Sequence, residues 1–237
     1  MRLDANLGWL FTELPFEQRF DSAAAAGFTG VEYADPYPYT PAWLTKRLSD
    51  AGLKQVLINT PGTCMDANFR DGVDQSLEYA VELGSSFLHL VGGTVPDGVS
   101  PDRAFARYVG NVAWAADRAT GCGVQLLLEA QSKPGFVLSS QEQAAAVAGE
   151  IGVGLLFDVF HAQVMETDLL GSLTESLPVT RHVQIGDSPG RGEPGTGDIP
   201  WPGVFAVLAG HDGWIGCEYQ PVADTASGLK WIKELLP

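Results

Sequence analysis

Short apolar runs alternate with longer amphipathic stretches along almost the whole chain. The runs at 3–8, 30–34, 55–59, 87–91, 124–130, 153–159, 182–187 and 215–219 read as strands. Several, such as Leu126-Leu127-Leu128 and Leu155-Leu156-Phe157, are apolar without a break. That is the habit of strands buried on both faces, as in a parallel sheet. Between them lie helical patterns with start and stop signals. Pro15 opens a helix that Gly27 stops. Thr40 and Gly52 bracket 41–51, and Gly84 ends 69–83. Ser100 and Gly121 bracket 101–119, and Ser139 and Ser140 cap 141–151. Weaker helical patterns cover 169–176, 201–208 and 225–236. Eight strands and eight helices in alternation predict a (β/α)8 TIM barrel, formed by residues 1–237 as one domain. An open doubly wound sheet is the alternative. It usually carries a glycine-rich phosphate loop after its first strand, and Asn6-Leu-Gly-Trp-Leu-Phe-Thr has none.

Length agrees with this reading: 237 residues is close to eight units of roughly 30. Charge narrows the partners. The 29 Asp and Glu outnumber 14 Lys and Arg, a net charge of −15. Nucleic acid and anionic membrane both need clustered cations, so neither is expected as a partner. The three cysteines form no CxxC pair, no run approaches a membrane span, and the first residues lack a signal peptide's apolar core. These features predict a cytoplasmic enzyme with free thiols and a small-molecule substrate. A homo-oligomer is left open.

In a barrel of this kind, reactive groups stand at the C-terminal ends of the strands. Strand five ends in Glu129, strand six in Asp158, strand seven carries Gln184 and strand eight carries Glu218. Their separations of 29, 26 and 34 residues are each near one strand-helix unit. Four oxygen-bearing side chains thus occupy corresponding places on successive strands. Carboxylates brought together in an apolar setting repel one another and cannot all stay ionised unaided. A divalent cation removes the conflict, and hard oxygen donors favour Mg2+ or Mn2+. The plain alternative is that each acid pairs with Lys or Arg, of which the chain has few.

The segments Asp4-Ala-Asn-Leu-Gly-Trp-Leu-Phe, Gly30-Val-Glu-Tyr, Asp158-Val-Phe-His161, His182-Val-Gln-Ile, Arg191-Gly-Glu-Pro-Gly-Thr-Gly-Asp-Ile and Gly213-Trp-Ile-Gly-Cys-Glu-Tyr resemble the hydroxypyruvate isomerase and 2-oxo-tetronate isomerase family of xylose isomerase-like barrels. The resemblance spans nearly the whole chain. It implies that Glu129, Asp158, Gln184 and Glu218 are the metal ligands and that Glu129 and Glu218 are the acid/base pair. It also implies an aldose-ketose isomerase acting on a small hydroxy-keto acid or sugar, of the hydroxypyruvate to tartronate semialdehyde type. The chemistry is coherent. Isomerisation removes a proton beside a carbonyl, a cation stabilises the cis-enediolate, and a second carboxyl returns a proton to the neighbouring carbon.

Further residues are candidates for substrate contact. The resemblance gives His161 a substrate oxygen. Arg191 has a fork suited to a carboxylate or hydroxyl. Asn59 ends strand three and His89 lies in strand four, both candidate mouth residues, and Glu32 ends strand two as a substrate contact or a supporting partner. Glu193 either holds Arg191 or is simply exposed. His182 reads as a core histidine, Cys217 as packing, and Trp9, Phe11, Tyr33 and Tyr37 as an apolar wall or ordinary core. Two loops depart from the family pattern. The 60–68 stretch is short, and so is the one after Glu129, which carries Lys133. Both bear on the substrate and leave the metal reading intact. The alternatives on one site are a ketose 3-epimerase, whose usual third ligand is His where this chain has Gln184, and a cyclitol-type dehydratase. A zinc DNA-repair endonuclease needs more than four histidines and a basic face. A non-catalytic sugar-binding protein is the remaining alternative.

Overall fold

The eight apolar runs become β1 (Arg2–Asn6), β2 (Gly30–Glu32), β3 (Lys54–Asn59), β4 (Phe87–His89), β5 (Gln125–Leu128), β6 (Gly154–Asp158), β7 (Thr180–Ile185) and β8 (Trp214–Cys217). The computed structural model describes residues 1–236. Every strand pairs in parallel with its successor, and β8 closes on β1, giving the closed (β/α)8 barrel expected from the alternation. Around it run α1 (Phe16–Ala25), α2 (Pro41–Ala51), α3 (Phe69–Leu83), α4 (Pro101–Ala119), α5 (Gln141–Ile151), α6 (Val159–Met165), α7 (Leu169–Ser176), α8 (Trp201–Val207), α9 (Thr225–Gly228) and α10 (Trp231–Leu235). No helix among the described residues is long and apolar enough to cross a membrane.

The stop and start signals act as polarity and sterics require. The side chains of Thr40 and Ser140 accept from the backbone N–H groups of Trp43 and Gln143, filling two donors that an α-helix leaves open. Gly52 closes α2 with a φ of 68°, a conformation without penalty only for glycine. Ser100 differs: it stands at the N-cap of α4, but its side chain makes no capping bond.

Other differences are instructive. The expected strands ran past the observed ladders, by two residues at the C-terminal ends of β5 and β8. Glu129, Ala130 and Tyr219 stay buried after the sheet pairing stops, so hydropathy does not mark the end of the ladder. The 225–236 helix is broken between Gly228 and Trp231. An additional helix, α6, begins directly on β6 because Asp158 caps it. Its Oδ1 accepts from the N–H groups of Phe160 (2.8 Å) and His161 (3.2 Å).

Two apolar cores result. The larger lies between the sheet and the helices and includes Cys217. The smaller, with Val56, Leu57, Phe87, Leu127, Leu156 and Trp214, fills the lower barrel. Above it the interior turns polar: Asp4, Glu32 and His182 are fully buried. The polar layer is the floor of the mouth.

Candidate active site

The four in-register side chains meet at the C-terminal mouth. Asp158 and Gln184 are directly paired across β6 and β7. Glu129 and Glu218 each follow the last ladder residue of their strand. A cavity of about 250 Å³ opens here, lined by Asn6, Trp9, Asn59, His89, Glu129, Gln184 and Glu218 among others. Asp158, His161 and Arg191 stand at its side. One nitrogen of Arg191, Nη2, donates to Asp158 Oδ2 (2.7 Å) and to Glu218 Oε1, so these two carboxylates face one point. Glu129 Oε1 is 3.9 Å from His161 Nε2, and Gln131 donates to Glu129 Oε2.

The electrostatics match the crowding. Burial raises the Glu129 carboxyl to about 8, and the Asp158 charge adds to this, against lowering by Gln131, Arg191 and Lys133. Burial likewise pushes Glu218 well up. Arg191 opposes this, while Asp158, Glu32 and Glu129 reinforce it. Arg191 supplies the counter-charge of the plain alternative, although one guanidinium faces three carboxylates.

Arg191 is itself held in place. Its guanidinium lies 4.7 Å from the Trp9 ring and 4.9 Å from the Phe160 ring, a cation between two aromatic faces. Its backbone has a φ of 55°, in a loop ordered by Asp187. That buried carboxylate accepts from the N–H groups of Ser188, Gly195 and Ile199 and from the Trp201 indole. Sequence reasoning missed Asp187 and Phe160. The signal for Asp187 was an acid at a strand end before a glycine-rich turn, the setting in which a carboxylate satisfies loop amides. Glu193 does not hold Arg191; it accepts from the N–H of Val222 and ties this loop to the one after β8.

His161 is buried, and its Nδ1 accepts from the N–H of Ser132 (3.2 Å). A backbone N–H can only donate, so Nδ1 accepts there, while Nε2 faces Arg191 Nη1 at 3.4 Å and Glu129 and Asp158 at 3.9 Å. Burial lowers the pKa of His161. Burial also pushes His89 down to about 3, leaving it neutral. His89 Nδ1 is 3.2 Å from Asn59 Oδ1, and its Nε2 is 3.5 Å from Glu129 Oε2. Tyr37 donates its hydroxyl to the Asn59 carbonyl (2.5 Å) and so supports this edge. Tyr33 instead packs against Phe16 and Phe20 outside the barrel, as does ordinary core.

Glu32 lies under the floor, fully buried and outside the cavity lining. Of the two roles expected for it, this position fits the supporting partner and not the substrate contact. His182, also fully buried, places Nε2 2.7 Å from Glu32 Oε2, as a core histidine should. Burial would raise Glu32, but the His182 charge and the hydrogen bonds of His182, Gln184 and Asn6 outweigh it and lower the group. Asp4 beside it is pushed well up by burial and then by Glu32, making Asp4 the neutral acid of the pair.

The mouth residues suit a hard divalent cation. Ligand atoms of Glu129, Asp158 and His161 lie within 4.8 Å of one another, and Glu218 reaches the same Arg191 nitrogen as Asp158. Asp4, Glu32 and His182 are equally close together, but Glu32 there is already engaged by three donors.

A closed (β/α)8 barrel with convergent acids at its C-terminal mouth has the frame of a barrel enzyme. Residues 20–235 match the description "Xylose isomerase-like TIM barrel". The chain is 37% identical to the 2-oxo-tetronate isomerase of Cupriavidus necator, over 99% of this chain and 98% of that one. It is 35% identical to the hydroxypyruvate isomerase of Escherichia coli K12, over 98% of each chain. The chain therefore belongs to the xylose isomerase-like TIM barrel family, in its hydroxypyruvate isomerase and 2-oxo-tetronate isomerase branch. It is an enzyme of the isomerase class. A solved structure described as an AP endonuclease, family 2, from Brucella melitensis is similar with a TM-score of 0.92 and 33% identity, covering 100% of this chain and 99% of that one. A D-psicose 3-epimerase from Clostridium cellulolyticum H10 has a TM-score of 0.81 at 19% identity, covering 97% of this chain and 89% of that one, a likeness of fold alone.

Proposed function

We propose that this protein is a divalent-metal-dependent aldose-ketose isomerase for a small hydroxy-keto acid of the hydroxypyruvate type. One observation carries the reading: Glu129, Gln184 and Glu218 line one mouth cavity, and Asp158 shares an Arg191 nitrogen with Glu218 at its side. The identity to keto-acid isomerases supports the substrate class. So does the cavity, whose 250 Å³ lies below the span of drug-sized pockets and suits three or four carbons.

Glu129, Asp158, Gln184 and Glu218 would hold the ion, Mg2+ or Mn2+. When bound, it supplies positive charge against the oxygen charge that develops as carbon loses its proton. One glutamate takes the proton from the carbon beside the carbonyl. The other returns one to the former carbonyl carbon, while the substrate's hydroxyl proton passes to the former carbonyl oxygen. His161 turns its Nε2 edge toward a substrate oxygen, fixed from behind by Ser132. Arg191 offers the fork for the substrate carboxylate, and Asn59 and His89 close the opposite edge. Trp9 and Phe160 shield this chemistry from water. With its three thiols free, the protein acts in a reducing, cytoplasmic setting.

The test is a substrate panel of hydroxypyruvate, 2-oxo-tetronate and neutral ketoses, run with Mg2+ or Mn2+ and after chelation. Turnover of the keto acids, lost on chelation and accompanied by movement of the carbonyl, is expected. Reaction of neutral ketoses alone, or epimerisation without carbonyl movement, would overturn the reading. The endonuclease description of the Brucella structure is a weaker guide, because a net charge of −15 opposes a DNA-binding face.

A further inference from the structure

We infer that Glu32 is a positioning residue: it fixes which end of the Gln184 amide faces the mouth and so completes the oxygen donor set. The inference rests on the proposed role of Gln184 as a ligand.

An amide is ambident. Its oxygen can bind a cation and its NH2 cannot, yet the two ends have nearly the same shape. Something must choose between them. Glu32 is acceptor-only and sits beneath the floor. Its Oε1 accepts from Gln184 Nε2 (2.8 Å) and from Asn6 Nδ2 (3.0 Å), and its Oε2 faces His182 Nε2 (2.7 Å). The nitrogen end of Gln184 is therefore tied down, and its oxygen end is left for the cavity that Gln184 lines.

Asn6 carries the same instruction to a second site residue. Its Nδ2 also donates to Glu218 Oε2 (2.9 Å), while its Oδ1 accepts from the N–H of Gly8 (3.0 Å). Asn6 is thus fixed at both ends, and it links Glu32 to one of the two glutamates of the cavity. Space for this arrangement comes from β8. A Cβ at Gly216 would lie 2.6 Å from Glu32 Oε1, so only glycine leaves room for the carboxylate. A buried acid that served only to pack would need none of this orientation. All the donors on Oε1 lead to mouth residues.

The experiment measures Mn2+ binding by paramagnetic resonance without substrate. In Glu32→Gln the shape is kept but one end becomes an NH2, which cannot accept. Gln184 is then free to turn its own NH2 outward. Mn2+ affinity is expected to fall about 10- to 100-fold, the usual effect of removing a partner of a metal ligand. In Glu32→Gln with Gln184→Glu, residue 184 has no wrong end, and residue 32 can donate to it. Affinity should return to within about threefold of the unaltered protein, well inside the loss seen in the single variant.

Unchanged affinity in Glu32→Gln overturns the inference while leaving the proposed function standing. So does a double variant no better than the single one. Should Glu32→Gln fail to fold, side-chain amide resonances of Gln184 in the unaltered protein decide. Slowly exchanging amide protons, with a carbonyl carbon shifted by Mg2+, support the inference, and rapid exchange refutes it. A protein that binds no Mn2+ at all overturns both this inference and the metal-dependent reading.

Discussion

Glu129 occupies a position where burial and a neighbouring acid act together. Its pKa of about 8 lies above the 4.5 of a free glutamate, so between those values the native state holds a proton that the unfolded chain has lost. Stability then falls as pH rises through that window. His89, His161 and His211 are lowered and act in the opposite sense near pH 6, so the difference is read: between pH 5.5 and 8 the metal-stripped protein should lose more melting temperature than metal-stripped Glu129→Gln, and calorimetry across pH checks this. The same residue tests the chemistry. Glu129→Gln and Glu218→Gln should each lower kcat by about 10²- to 10⁴-fold, the range for loss of a general acid or base, while circular dichroism stays unchanged. Full activity in either variant would remove that residue from the acid/base pair.

Two elements at the mouth are organised by single aspartates that do double duty. Asp158 uses Oδ1 to cap α6 and Oδ2 to meet Arg191. Asp158→Asn keeps a good cap and removes the charge, whereas Asp158→Ala removes both. Chemical denaturation should find the Ala variant about 1 kcal/mol less stable than the Asn variant, with both losing metal affinity. Asp187 carries a larger share, because four donors from the 188–201 stretch converge on it. Truncation to Ala leaves those donors buried without a partner, at a cost of about 3–5 kcal/mol, and frees the loop that aims Arg191. The expected result is a loss of stability in urea together with a raised KM for the keto acid. A change in stability with KM untouched would show that Arg191 does not bind substrate.

For the molecule as a whole, bringing three acids to one mouth is a conflict that the proposed cation would resolve. Stabilisation by a ligand grows with its concentration above Kd, reaching about 2.7 kcal/mol at a hundredfold excess. Adding Mn2+ to the stripped protein should raise its melting temperature, and a triple Gln variant at Glu129, Asp158 and Glu218 should show no rise. Much of this organisation was legible in the chain. The α2 and α4 boundaries, the start of α5 and the end of α3 followed from Pro, Ser, Thr and Gly at those ends, since these residues act through local backbone sterics and hydrogen bonding. The ladder ends were not legible, because Glu129 and Tyr219 remain buried after pairing has stopped. Nor was α6, whose start depends on how the Asp158 side chain turns.

The sequence by itself determined the order of the eight strands and of most helices, the barrel class, and the register of Glu129, Asp158, Gln184 and Glu218. All of these follow from periodicities that the chain carries locally. Only the tertiary structure decided who meets whom around them. It set Glu32 of β2 against Gln184 of β7, 152 residues apart, Asp187 beneath its own loop, and Arg191 between Trp9 and Phe160. Such meetings are made by barrel closure. They depend on strand stagger and on the space left by Gly216, and neither is written in the pattern of any one segment.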